Sequence, residues 1–137
     1  MKQVIIIIFS FLLVFYVGAQ SKTSSPTQKS STLCQTLKGR WQAEDDKNVV
    51  LVFNGKKYIE LYDKDTTDNL EYTLSYSCKL QDKVKTNVYK LDKSKPLYVL
   101  LYKDGEVQQC NELLSLSSKT LSWMNNANGK IFIFKRI

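Results

Sequence analysis

The chain has 137 residues, with 20 basic and 13 acidic side chains, no histidine and 43% apolar residues, a length that suits one domain. The missing histidine excludes Ser-His-Asp and Cys-His catalysis, histidine-ligated zinc and an imidazole base at neutral pH. Two prolines and five glycines exclude collagen-like and proline-rich chains.

Lys2 precedes an apolar run from Val4 to Val17, which ends in Gly18 and Ala19. A charged start, an apolar centre and small residues before a cut describe a secretory signal peptide over residues 1–19, cleaved after Ala19. The run is shorter than the ~20 apolar residues that span a bilayer. Gln20, not a cysteine, follows the cut, so no lipid anchor is expected. Cleavage removes Lys2 and leaves 118 residues with a net charge of +6. No second long apolar stretch follows, so the mature chain is expected to lack a membrane span. It is expected to be secreted or periplasmic, in a compartment where disulfides persist. Residues 20–36 are rich in Ser, Thr, Gln and Lys. They bury too little apolar surface to offset their ordering entropy and read as a polar, disordered linker before a domain over 37–137.

From Gly39 onward the period is near two and turn residues recur about every ten positions. Gly39–Glu44 and Asn48–Phe53 read as strands, separated by the turn Asp45-Asp46-Lys47. Asn54-Gly55 is a hairpin turn leading into Lys57–Tyr62, since both residues tolerate positive φ. Asp63–Asn69 reads as a polar loop. Leu70–Lys79 alternates most clearly: Leu70, Tyr72, Leu74, Tyr76 and Cys78 share one face and polar residues the other. Leu80–Lys85 reads as a charged loop and Thr86–Leu91 as a weaker strand. Pro96–Lys103 is an apolar strand with proline at its start, where a missing N–H does least harm. Asp104-Gly105 is a second hairpin signal, followed by strands over Glu106–Leu114, Lys119–Met124 and Lys130–Arg136. The expectation is an all-β, antiparallel, up-and-down barrel of eight to nine strands with a disordered leader, because closure removes exposed strand edges.

Leu37-Lys38-Gly39-Arg40-Trp41 carries a G-x-W at the entry to the first strand. With the meander, Leu116–Trp123 and the closing Ile131–Ile137, the layout resembles lipocalins and related calycin barrels, most closely the small secreted lipocalin-like domains of Bacteroidetes. The resemblance spans residues 33–137 and lacks the family's Thr-Asp-Tyr motif. It implies that Trp41, preceded by Gly39, closes one barrel end with Arg136 packed across the indole. It also implies a lumen that either holds one small ligand or is filled by side chains. Phe53, Tyr72, Leu74, Tyr76, Tyr98 and Trp123 are the candidate lining. Each ring either fills the core or offers a ligand an apolar wall with a polar tip.

Cys34, Cys78 and Cys110 leave one thiol over in any pairing. Cys78–Cys110 is the expected bridge, both being inside the domain; Cys34 paired with either is the alternative, and a leftover Cys34 offers a route to a dimer. No metal site, cofactor or catalytic constellation is expected. Residues 40–71 hold five basic and eight acidic side chains, a net −3; residues 79–103 hold seven and two, a net +5. The basic stretch is either a solvated face or an attractor of anionic groups. Nucleic acid is not expected as a partner. The functional expectation is a non-catalytic binding protein for a small hydrophobic or anionic amphipathic ligand. The alternative is a filled barrel acting through its surface as an interaction or inhibitor module.

Overall fold

The computed structural model describes residues 32–82 and 94–137. Their strands are β1 (Gly39–Ala43), β2 (Val49–Asn54), β3 (Lys57–Tyr62), β4 (Asp65–Ser75), β5 (Tyr98–Lys103), β6 (Glu106–Leu116), β7 (Thr120–Asn125) and β8 (Ile131–Arg136). All neighbours pair antiparallel in chain order and β8 returns to β1, giving a closed up-and-down barrel. A helix α1 (Leu33–Leu37) precedes the barrel and a 3₁₀ turn (Leu80–Asp82) follows β4. The expected strand at Thr86–Leu91, the signal peptide and most of the linker lie outside the described residues.

Three elements differ from the sequence reading. The expected loop Asp63–Asn69 is mostly strand: β3 and β4 meet at a two-residue turn, Asp63-Lys64, with both φ angles positive. Neither residue is glycine, so the usual signature of such a turn was missing. The expected strand Leu70–Lys79 ends at Ser75 instead. There the Ser75 hydroxyl accepts from the Ser77 N–H (3.1 Å) and donates to the Lys79 carbonyl (3.2 Å), replacing the ladder with a local turn. Finally, residues 33–36 of the expected linker belong to α1. The Thr32 hydroxyl caps the helix by accepting from the Gln35 N–H, and Leu33 and Leu37, four apart, turn into the core.

A helix of five residues has no stability of its own, so α1 depends on the barrel. Its C-terminal carbonyls are met from outside the helix. The Trp41 indole N–H donates to the Leu37 carbonyl at 2.8 Å. The Arg136 guanidinium donates to the carbonyls of Thr36 and Lys38, and its Nε–H donates to Ser118 at 2.8 Å. The same guanidinium lies 4.2 Å over the fully buried Trp41 ring. Gly39 makes room: a Cβ there would stand 2.5 Å from Arg136 Nη1, and its φ of +134° suits glycine alone.

Cys78 and Cys110 form the expected disulfide, 32 residues apart. A loop of that size constrains the unfolded chain by about 3–4 kcal/mol. The bridge ties the start of the β4–β5 connection to the outside of β6. Leu100, the cross-strand neighbour of Cys110 on the outward face of β5, is fully buried there. Cys34 is the free thiol; it is half-buried on α1, and burial raises its pKa above the ordinary thiol value.

Cation–π stacking and charge-assisted hydrogen bonds make Arg136 worth about 3 kcal/mol or more. Arg136→Ala should lose that much in urea unfolding. Arg136→Lys should recover little of it, because an ammonium's donors all sit on one nitrogen and cannot reach separated carbonyls while stacking flat on the indole. Equal stability of the lysine variant and the parent would remove the fork geometry from this account.

Candidate ligand-binding site

The barrel interior divides into a packed part and an open part. Trp41 lies at the α1 end. Next to it an aromatic cluster fills the lumen, with edge-on contacts between Phe53 and Tyr72 (5.0 Å), Phe53 and Tyr58 (5.4 Å), Phe53 and Trp123 (6.2 Å) and Trp123 and Phe134 (5.3 Å). Leu70, Leu74, Val99, Leu101, Leu113 and Leu121 complete this core. These residues point inward because each pairs across its ladder with another inward residue, as Phe53 does with Tyr58, Tyr72 with Leu101 and Leu74 with Val99.

Toward the β1–β2 and β7–β8 turns the packing stops. A cavity of about 330 Å³ opens there, walled by Ala43, Val49, Leu51, Trp123, Phe132 and Phe134. Tyr58, Glu60, Gln109 and Asn111 add polar groups, and Asp45, Asp46, Asn125 and Lys130 stand at its rim. The volume lies near the lower end of the range for small-molecule sites.

Two polar groups inside this cavity are unusual. Asn111 is 1% exposed, and its buried amide nitrogen has no hydrogen-bond partner. Such a donor costs roughly 1–3 kcal/mol while it stays unsatisfied. Glu60 accepts a hydrogen bond from the Tyr58 hydroxyl (2.7 Å) and makes no ion pair among the described residues. Tyr58 is held protonated far above the ordinary tyrosine range. Burial is the main cause, followed by the charge of Glu60, the hydrogen bond to it and the charge of Asp68. Tyr72, deeper in the barrel, is pushed up to about 12 by burial, with a smaller contribution from the charge of Cys34.

Of the candidate lining residues, Phe53, Tyr72, Leu74 and Trp123 are buried in the core, and Trp123 also borders the cavity. Tyr76 and Tyr98 are not lumen residues. Tyr76 lies beyond the end of β4, 41% exposed, with the Lys95 ammonium 5.8 Å over its ring. Tyr98 is one step out of phase with the inward Val99 and Leu101 and is only partly buried. Gly39, Trp41 and Arg136 meet at the opposite end of the barrel, as described above. Of the described lysines in the basic stretch, Lys79, Lys95 and Lys103, none lines the cavity.

Sequence reasoning missed Glu60 and Asn111. In Lys57–Tyr62 the outward Ile59 and Leu61 look like the buried face. The hairpin register supplies the missing signal: Phe53 faces Tyr58 and Leu51 faces Glu60, so two inward residues of β2 place Glu60 inside. No family model, curated protein or solved structure matches this chain.

Two measurements check this geometry. The folded state keeps the Tyr58 proton above pH ~10, where an unfolded tyrosine releases its own, so stability should fall as pH rises past that point. Tyr58 contributes a slope of about 1.4 kcal/mol per pH unit beside that of Tyr72, and Tyr58→Phe should remove that share. A parallel slope in the variant would exclude Tyr58 as the group responsible. Asn111→Leu should stabilise the ligand-free barrel by roughly 1 kcal/mol, because the unsatisfied amide is removed at similar volume. A less stable variant in urea unfolding would show that the amide is satisfied in the folded protein.

Proposed function

We propose that this chain is a secreted or periplasmic, non-catalytic, lipocalin-like binding protein, cleaved after Ala19, that holds one small amphipathic molecule in the open half of its barrel. The carrying observation is the cavity of about 330 Å³ with the unpartnered Asn111 amide buried in its wall. A chain that packs aromatic rings edge to edge elsewhere leaves this volume unfilled by side chains and keeps there a donor that no described residue satisfies. The closed antiparallel barrel, the disulfide and the lack of a membrane-length apolar helix among the described residues support the compartment and the resemblance to lipocalins. The apolar walls suit a hydrocarbon or aryl body; the hydroxyl or carbonyl oxygen of such a ligand suits Asn111.

This reading moves the binding residues. Leu51, Glu60, Asn111, Trp123, Phe132 and Phe134 surround the ligand, while Tyr72 and Leu74 form packing beyond it. The surface-module alternative draws on the exposed Ile131 and Ile133 of β8 and Leu114 of β6.

Titration with the neutral fluorescent probe N-phenyl-1-naphthylamine decides between the two. Saturable binding near one to one is expected, with a change in Trp123 emission. Ala43→Phe, which fills the cavity, should abolish binding while retaining cooperative melting. Tyr76→Arg should bind like the parent, since Tyr76 is outside the barrel. No saturable binding to the parent, or binding that survives Ala43→Phe and is lost in Tyr76→Arg, would move the site to the surface.

A further inference from the structure

The charge around the cavity is opposite in sign to that of the whole chain. The chain carries a formal +7, yet the cavity and its rim hold three carboxylates, Glu60, Asp45 and Asp46, against the single ammonium of Lys130. Lys130 reaches Asp45 at only 4.0 Å, with both side chains more than half exposed, so that pair is worth little. Glu60 is the inner charge. Tyr58 donates to its Oε2, and the carboxylate has no cation beside it among the described residues. A carboxylate partly withdrawn from water without a cation is a place where a cation gains more than at the surface.

The mouth already displays the contact such a cation would make. The Lys130 ammonium stands 4.6 Å over the Phe132 ring, and Phe132 is one wall of the cavity. An aromatic face and a carboxylate converging on one ammonium form a cation-recognising pair. An anionic head group would meet the carboxylates, and the basic stretch contributes no described lysine to the lining.

We infer that the molecule held in this cavity is an organic cation, an amine whose short apolar body carries a hydroxyl or carbonyl oxygen, with the ammonium at Glu60, the oxygen toward Asn111 and the hydrocarbon against Trp123 and Phe134. The unpartnered Asn111 amide is the independent sign that the cavity receives a ligand at all; the carboxylates set that ligand's charge. The inference rests on the binding reading above and narrows it from any amphipathic molecule to a cationic one, replacing the expected anionic head group.

Three probes of one chain length separate the two claims: octylammonium, 1-octanol and octanoate, titrated calorimetrically into the mature full chain at neutral pH. Octanol and octanoate each carry an acceptor for Asn111 and octylammonium does not, so a preference for the amine reports the carboxylates alone. Octylammonium should bind at least about tenfold tighter than octanol, with octanoate weakest. Glu60→Gln, which still accepts from Tyr58, should erase the preference for octylammonium over octanol, and cooperative urea unfolding shows that the variant is folded. Lys130→Met, which removes the competing ammonium, should strengthen octylammonium binding. Equal affinities for the three probes, tighter octanoate, or a preference that persists in Glu60→Gln would overturn the cationic assignment and leave the cavity reading standing. If none of the three binds, both claims fail.

Discussion

An up-and-down meander becomes a barrel only where its last strand finds its first. In this chain that seam is the short ladder pairing Trp41, Gln42 and Ala43 with Arg136, Lys135 and Phe134. Side chains reinforce it: Lys135 reaches Glu44 at 2.9 Å, and Arg136 bridges Ser118, α1 and the Trp41 face. The surface ion pair adds little. The guanidinium does more, because its donors meet backbone carbonyls that a helix C-terminus leaves unsatisfied. The seam, the helix and the closed end therefore depend on one side chain, and Gly39 is the residue whose absent Cβ lets that side chain approach.

Closing one end this way has a consequence for the other. The aromatic cluster from Phe53 to Trp123 anchors inward strand residues against a rigid base, so the wall above it keeps its shape without side chains filling the middle. Cohesion is concentrated at the α1 end. Elsewhere the ladders hold the strands, and the disulfide ties Cys78, just past β4, to Cys110 on β6. A cavity is tolerable in a barrel where backbone pairing is complete around the circle, because no strand edge is exposed by leaving the lumen partly empty.

The sequence carried the barrel well and its cavity end poorly, for identifiable reasons. Alternation from Leu70 to Leu74, the Asp104-Gly105 turn and the evenly spaced apolar segments pointed to the strands, and the cysteines to their bridge. Alternation could not say where β4 stops, because Tyr76 and Cys78 continue the pattern after Ser75 has turned the chain. In β5 the run Leu97–Tyr102 is apolar on both faces, so Tyr98 gave no hint of facing outward. α1 was too short for a helical period, although Thr32 as cap with leucines at 33 and 37 was a readable trace. Glu60 and Asn111 were hidden for a deeper reason. A strand pattern marks polar residues as outward, and these two break that rule.

That violation is the most informative feature of the interior. A buried amide without a partner costs stability, and leucine or valine at either position would agree with the surrounding walls. The apolar half of the same lumen shows that this chain can pack rings into close edge contact. The polar pair therefore does not reflect an inability to fill the barrel. Polar groups that weaken the empty protein are compensated when something occupies the space beside them, since hydrogen bonds and ion pairs then form away from bulk water. On the proposed binding reading, an acceptor at Asn111 Nδ2 offsets what the unpartnered amide costs, and the Glu60 carboxylate sets the charge of the occupant. An apolar wall alone would hold many hydrocarbons with little discrimination; in the proposed site, selectivity would come from these two groups, whose positions the β2–β3 and β6–β7 registers fix.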